Sequence, residues 1–383
     1  MSSGRCVAKP AHALSLKGSA LRVALVHDWL NQVGGAENVL DELHALFPDA
    51  PVYTSMYWRA KMPANLREWD IRTTWLDRIG LSKSHHQWFL LTYPFAFRSL
   101  DLSGYDLVIS NKSAFCINIR VPAGAKHLCN CLTPSRFVWN FANYVRGENV
   151  GGIARRVVPP ILPLLRRVEY RAAQRVAQFA AISHEVQHRI QKYYRRESQV
   201  IYPPVDTERF HANQQPSEKF YLVISRLIPY KRIDLVVEAF NRLGLPLVVI
   251  GEGRERARQQ ALAKANVKFL SRLSDAECDA YRYRCRAFIF PGEDDFGIAP
   301  VEAMAAGRPV IAFGAGGALD SVADGISGIL FAQPSAKALV DAVRRFETMR
   351  WDSRVIQVHA ERYSRACFRE QFMTFVKESV DGT

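Results

Sequence analysis

The chain has 383 residues, 48% of them apolar and 11% aromatic, with 51 Lys and Arg against 37 Asp and Glu for a net charge of +14. Such length and apolar content exclude a disordered chain and predict two domains with sizeable cores, α/β in class once the elements below are read. No apolar run approaches the ~18 residues a membrane-spanning helix needs. The basic excess points to an anionic partner, whether a phosphorylated substrate, an anionic membrane surface or nucleic acid. Seven cysteines are scattered apart from Cys129 and Cys131, a spacing that predicts reduced thiols and no metal site.

Residues 1–20 are polar and rich in small side chains, with no continuous apolar stretch. They read as a disordered leader and not as a signal peptide. Leu21-Arg-Val-Ala-Leu-Val-His-Asp28 predicts the first parallel strand, β-branched and apolar. The Gly34-Gly35 turn follows, then an amphipathic helix from Glu37 to Leu46. Strand, double-glycine turn and helix let a phosphate approach the backbone. The G-x-G-x-x-G dinucleotide fingerprint is absent.

Further strands are expected at Pro51–Thr54, Tyr105–Ser110 and Ala125–Leu132, the last running into Thr133-Pro-Ser-Arg-Phe-Val-Trp139. The aromatic stretch His85–Phe97 reads as helix packed into the core. Asn140–Gln199 is helical and basic, with eleven Arg and Lys between Arg146 and Arg196 flanking the apolar Val157–Leu165 segment. Arginines beside short apolar runs fit an anionic lipid surface, and equally a solvated basic face. Ser183 is placed to cap the helix from His184 to Tyr194.

Pro203-Pro204 makes a stiff connector, after which the pattern restarts. Strands are expected at Phe220–Ser225, Leu245–Ile250 and Val267–Leu270, with helices at Ile233–Leu243 and Asp275–Cys285. Two successive βα series predict two doubly wound Rossmann-like domains facing a central cleft.

In the second series, Ser225-Arg-Leu-Ile-Pro-Tyr-Lys231 places Arg226 and Lys231 beyond a strand's carboxyl end. Two cations there suit a departing diphosphate. Phe288–Phe290 predicts a strand leading into Pro-Gly-Glu-Asp-Asp-Phe-Gly-Ile-Ala, a short helix from Pro300 to Ala306, and a strand at Pro309–Phe313. Asp294 and Glu302 offer acceptors for vicinal hydroxyls, and the N–H groups of Gly297, Ile298 and Ala299 an anion site at a helix N-terminus.

The stretch from Asp294 to Glu302, with Phe296-Gly297 inside it and Glu-Ala-Met-Ala-Ala-Gly-Arg-Pro-Val-Ile after it, resembles the E-x7-E signature of the retaining glycosyltransferases of family 4 (glycosyl transferases group 1). Ser225–Lys231 resembles that family's S-R-x-x-x-x-K motif. The likeness runs from about Leu21 to Val380. It implies the GT-B fold: an acceptor-side domain at 21–204, a nucleotide-sugar domain at 205–362, and a helix at 363–383 crossing back to the first.

By the same resemblance Arg226, Lys231, Asp294 and Glu302 are catalytic. Gly34, Gly35, Gly251, Glu293, Phe296, Gly297, Ile298 and Ala299 join them around the donor, with Glu302 on the ribose and Asp294 on the sugar. His27, Asn130, Thr133 and Arg136 become acceptor-side candidates. His-Asp-Trp-Leu with Gly-Gly-Ala-Glu, Thr-Pro-x-Arg-Phe-x-Trp and Tyr-Pro-Pro-Val-Asp look most like the bacterial mannosyltransferases of O-antigen and exopolysaccharide synthesis.

The implied activity is therefore retaining, metal-independent transfer of mannose from GDP-mannose to a lipid-linked glycan, with no cofactor. A UDP-sugar donor is the alternative, and a non-catalytic sugar-nucleotide-binding scaffold is the alternative of another class. The implied location is the cytoplasmic face of the plasma membrane, held peripherally through the basic helices of 146–196. No nucleic-acid recognition motif appears. Three positions depart from the family pattern: Asp294 replaces Glu, Leu132 stands where His usually precedes Thr-Pro, and Asn140 stands where an acid is common.

Overall fold

The computed structural model describes residues 15–16, 19–84, 86–141, 156, 158–210 and 216–382. The expected leader lies mostly outside the described residues; within it Ser15–Leu16 pairs antiparallel with Ser19–Ala20. The Arg146–Arg155 part of the basic stretch also lies outside them.

The chain divides into two compact units, one built on the stretch up to Pro204 together with Ala366 onward, the other on Val205–Arg365. The first contains β1 (Val23–His27), α1 (Gly35–Leu46), β2 (Val52–Thr54), β3 (Ile71–Thr73), β4 (Leu107–Lys112) and β5 (Lys126–Cys131). It continues with α2 (Leu162–Ala173), β6 (Gln178–Ala181), α3 (His184–Tyr194) and β7 (Gln199–Val200). The strands form one parallel sheet ordered β3-β2-β1-β4-β5-β6-β7. Central strands buried on both faces need continuous apolar runs, which is why Ala24, Leu25, Val26 and Leu107, Val108, Ile109 are all fully buried. Ser183 caps α3 as expected, its hydroxyl accepting from the Val186 N–H at 3.1 Å.

The second unit holds β8 (Tyr221–Ile224), α4 (Ile233–Leu243), β9 (Leu247–Ile250), β10 (Val267–Leu270) and α5 (Asp275–Arg284). After them come β11 (Ala287–Phe290), α6 (Ile298–Ala305), β12 (Val310–Phe313), β13 (Gly328–Phe331) and α7 (Ala336–Glu347). This sheet is also all parallel, ordered β10-β9-β8-β11-β12-β13. Both sheets therefore reverse their winding once, between β1 and β4 and between β8 and β11. The closing helix α8 (Arg365–Asp381) packs in the first unit, where Arg369 Nε lies 2.6 Å from Glu42 and Ser379 bonds Gln178.

The sequence pattern leaves β3 and β13 unread. The first is a half-exposed edge strand of three residues. The second opens on Gly328, where a Cβ would stand 2.0 Å from the Val310 carbonyl oxygen, so a weak strand former is compulsory at its most crowded position. Of the aromatic stretch, Tyr93 and Phe97 are fully buried while Phe95 is 67% exposed.

Candidate functional site

In an open parallel sheet, the loops leaving the strand ends diverge where the winding reverses, and the crevice between them is the natural ligand position. In the second unit that place lies between β8 and β11. The loop after β8 carries Arg226 and Lys231, and the loop after β11 carries Glu293, Asp294 and Phe296. The Lys231 ammonium contacts the Asp294 carboxylate directly, both side chains being 16% exposed. Lys231 also stands over the rings of Tyr230 and Phe290 at 5.4 and 5.9 Å. Arg226 is exposed and donates to the Tyr230 hydroxyl at 2.6 Å. Three of the four expected catalytic side chains are thus gathered, with Tyr230 linking them.

Glu302, one turn into α6, meets different partners. Its carboxylate lies 2.5 Å from Arg282 Nη2 and 3.1 Å from Arg209 Nη2. The two acids of the signature therefore sit opposite separate sets of cations.

Backbone geometry fixes this loop. Gly297, at φ +86°, turns the chain into α6, and no described side chain caps the helix. The Ile298 and Ala299 N–H groups stand at its positive end, and Pro300 contributes none. The Gly317 N–H donates to the Asp294 carbonyl at 2.9 Å, and a Cβ on Gly317 would come within 2.1 Å of Phe296 Cα. Phe296 itself is buried against Tyr363, so its side chain anchors the loop while its backbone frames the crevice. Gly251, at φ +144°, lets the exit of β9 pass the Ser225 carbonyl, which a Cβ would meet at 1.9 Å.

The corresponding place in the first unit lies between β1 and β4. Gly34 and Gly35 are exposed there at the start of α1. His27 is 1% exposed, with Nε2 3.4 Å from Glu37 and Nδ1 3.3 Å from the Asn111 carbonyl. Asn111 donates to the Ala36 carbonyl and accepts from Asn130 at 2.9 Å each. Asn130 Oδ1 is buried without a hydrogen-bond partner among the described residues.

Asp28 accepts the backbone N–H groups of Ser113, Ala114, Phe115 and Cys116 at 2.6–2.8 Å, fixing the turn after β4. Thr133 is buried and its hydroxyl turns to the Pro134 carbonyl; Arg136 is half-buried at the start of the Arg136–Trp139 helix. Of the four acceptor-side candidates, His27, Asn130 and Thr133 thus lie beneath the surface.

The Thr133–Trp139 loop rests on an ion pair sealed from solvent. Lys112 Nζ lies 2.9 Å from Glu169, both side chains fully buried, and also donates to the Thr133 carbonyl at 3.1 Å. Glu169 accepts from Ser135 Oγ, Tyr194 OH and Trp139 Nε1 at 2.7, 2.5 and 3.0 Å. Burial pulls the Lys112 ammonium down, and the nearby Glu169, Cys131 and Asp28, Glu169 foremost, more than offset it, so the group ends above the ordinary lysine range.

Several arginines of the basic stretch have partners within the protein. Arg166 donates to the Val138 carbonyl at 3.0 Å, Arg196 to those of Ala173 and Ala177 at 3.1 and 2.9 Å, and Arg189 pairs with Glu185 at 2.7 Å. Arg166 and Arg196 thus tie to neighbouring backbone carbonyls, and Arg189–Glu185 is an i, i+4 pair within α3.

Residues 204–362 match the family described as glycosyl transferases group 1. The matched stretch coincides with the second unit. Among curated proteins, the O-antigen chain mannosyltransferase C of Escherichia coli is 27% identical over 178 residues, 44% of this chain and 46% of its own. The GDP-mannose-dependent alpha-mannosyltransferase of Mycolicibacterium smegmatis is 36% identical over 108 residues, 28% of each chain. The chain spans less than half the length of these curated relatives. Among solved structures, Anabaena HepE in complex with UDP superposes with a TM-score of 0.68 at 16% identity, over 94% of this chain and 100% of that one. Sucrose-phosphate synthase of Thermosynechococcus elongatus gives 0.71 at 16% identity, over 95% and 100%. The fold is GT-B.

Within the matched stretch lie all four expected catalytic residues, and also Arg209, Asp279 and Arg282, which no sequence motif singles out. Asp279 and Arg282 are spaced i, i+3 on α5 with nothing local to distinguish them from a solvated pair. Only the packing of α5 beside α6 brings them to Glu302. Arg209 follows the Tyr-Pro-Pro-Val-Asp motif by three residues, but its target is 93 residues away.

Proposed function

We propose that this chain is a glycosyltransferase that takes a hexose from a nucleotide diphosphate donor. The observation that carries the reading is the meeting of Lys231 with Asp294 at the strand-order reversal of a group 1 domain, beside an uncapped helix N-terminus. A diphosphate leaving group needs fixed positive charge where its negative charge develops. Lys231, Arg226 and the Ile298 and Ala299 N–H groups supply that charge, with no metal called for by the reading. Arrival of the diphosphate exchanges Lys231 from Asp294 to phosphate and frees that carboxylate for the sugar hydroxyls. Glu302 takes the ribose.

Transfer proceeds with retention: the bond from the anomeric carbon to the phosphate oxygen breaks, the bond to the acceptor oxygen forms on the same face, and the hydroxyl proton passes to the departing phosphate. The sugar is mannose from GDP-mannose, a choice supported by the mannosyltransferases among the relatives. The acceptor is a lipid-linked glycan in cell-surface polysaccharide synthesis, met by peripheral attachment to the inner membrane face; the net charge of +14 suits an anionic surface. Among the described residues no helix is long and apolar enough to cross a membrane. A UDP-hexose donor is the second reading, favoured by UDP in the similarly folded Anabaena structure.

Thermal shift across GDP-mannose, GDP, UDP-glucose and UDP-galactose tests both. A donor at a hundred times its Kd stabilises the protein by about 2.7 kcal/mol. GDP-mannose is expected to give the largest shift and to release GDP when acceptor is supplied. A larger shift with a UDP-sugar selects the second reading, and no shift with any of the four removes both.

A further inference from the structure

Glu302 belongs to a closed ring of four charged side chains. Arg282 Nη2 lies 2.5 Å from Glu302 Oε2, and Arg282 Nη1 2.7 Å from Asp279 Oδ1. Arg209 Nη2 completes the circuit at 3.1 Å from Glu302 Oε1 and 3.3 Å from Asp279 Oδ1. Exposure is graded around it: Arg282 at 7%, Asp279 at 15%, Glu302 at 18% and Arg209 at 32%. The ring thus has a sealed side and a rim.

Both arginines are themselves held. Arg209 lies over the buried Phe210 ring at 4.6 Å, and its carbonyl accepts from the Tyr283 hydroxyl at 2.9 Å. Arg282 directs one nitrogen to each carboxylate, while its Nε is buried without a partner among the described residues. Its guanidinium is therefore placed by the two acids and not by complete satisfaction of its own donors, and leaving a buried donor unpaired has a cost.

A carboxylate oxygen has two acceptor positions. On each Glu302 oxygen one position is taken by an arginine, which leaves one per oxygen. Two acceptors held a carboxylate's width apart match a pair of vicinal hydroxyls. A lone glutamate on a rotatable side chain would have to be ordered by the ligand; here the ordering precedes it.

We propose that Arg282, braced by Asp279, is a positioning residue that fixes the Glu302 carboxylate for the 2′,3′-diol of a nucleotide ribose, and so sets the selectivity for ribonucleotide over deoxyribonucleotide. This inference rests on the nucleotide-sugar reading above. The alternative role for the ring is a staple joining α5, α6 and the Glu208–Phe210 turn, which affects folding but not the ratio between two nucleotides.

The experiment uses the full chain and compares Kd for whichever of GDP and UDP binds it with Kd for the 2′,3′-dideoxy analogue of the same nucleotide. Wild-type protein is expected to favour the ribonucleotide by about 100-fold, the size of two hydrogen bonds to a charged group. Arg282→Lys, which reaches only one carboxylate at a time, and Asp279→Asn, which loosens the brace and keeps its shape, each lower that ratio about tenfold. The dideoxy affinity stays within about twofold, because the phosphate and base contacts lie elsewhere. Either variant that folds and keeps the wild-type ratio overturns the proposal, as does an equal loss for both nucleotides. Wild-type binding without discrimination overturns it while leaving the nucleotide reading standing. No binding of either nucleotide by the wild type removes that reading and the proposal with it.

Discussion

The two units share one winding, with the strand order reversing beside the first strand of each, yet they place charge differently. The first unit seals it: Lys112 and Glu169 are fully buried, Asp28 is wrapped by four backbone N–H groups, and His27, Glu37 and His127 lie below the surface. The second keeps charge at the rim, with Lys231, Asp294, Glu302 and Arg209 between 16% and 32% exposed. A sealed ion cannot be given up to a ligand without leaving its partner stranded, so the first unit's charges hold loops. A rim ion exchanges partners cheaply, so the second unit's charges can meet a substrate. One fold thus supports a scaffold in one half and an exchangeable site in the other.

The contrast breaks first at Lys112. Lys112→Ala leaves Glu169 buried and uncompensated, and removing one member of such a pair costs roughly 3–5 kcal/mol. Denaturant unfolding should report that loss, with the Thr133–Trp139 loop losing its support. A change below about 1 kcal/mol shows that the pair is not structural and ends the comparison.

Lys231→Ala is the counterpart in the second unit. Transfer should fall by about 10²–10³-fold, the effect of removing one preorganised charge from a developing oxyanion. The pair with Asp294 is partly exposed, so unfolding stability should change by no more than about 1 kcal/mol. Steady-state kinetics and unfolding on the same preparation separate the two quantities, and a large stability loss with little change in rate reverses the assignment.

The sealed character of the first unit also predicts its acid response. Burial pushes the His127 imidazole down to about 3, helped by Arg175, and its ring bonds Ser110 Oγ at 3.0 Å. In the unfolded chain it titrates near 6.5. The unfolded state therefore binds a proton that the folded state refuses, and stability present above pH 6.5 is lost as pH falls toward 3. The slope is about 1.4 kcal/mol per pH unit, some 2 kcal/mol by pH 5. His127→Gln should flatten that part of the stability–pH curve relative to wild type; an unchanged slope places the acid sensitivity elsewhere.

Much of the second unit was legible because its strands, turns and site residues are close in sequence. Val267–Leu270 and Ile233–Leu243 appear at their expected bounds, and Arg226, Lys231 and Asp294 stand on loops whose positions follow from strand ends. What escaped depends on packing. Arg282 reaches Glu302 only because α5 lies along α6, and β13 opens on Gly328, a weak strand former, because the Val310 carbonyl leaves no room for a Cβ. In the first unit His27, Asn130 and Thr133 carried the right chemistry for a site, but sequence gives no depth. The structure puts them under the surface, and Arg166 and Arg196 of the basic stretch donate to backbone carbonyls.

The smallest effect is the most informative about the sugar. Asp294 stands where the resembling pattern has Glu, so its carboxylate is one methylene short. In Asp294→Glu the acid reaches further into the crevice while Lys231 can still follow it on a flexible stem. The Glu302 ring is untouched, and with it the proposed ribose contact. The ratio of kcat/KM between two donors that share a base and differ at one sugar hydroxyl should shift by about three- to tenfold, roughly 0.7–1.4 kcal/mol. Affinity for the bare nucleoside diphosphate should stay within about twofold. An unchanged ratio would mean that Asp294 serves only to park Lys231, whereas a matching loss of diphosphate affinity would place it on the phosphates. A rim carboxylate that tunes the sugar alone requires the first shift without the second.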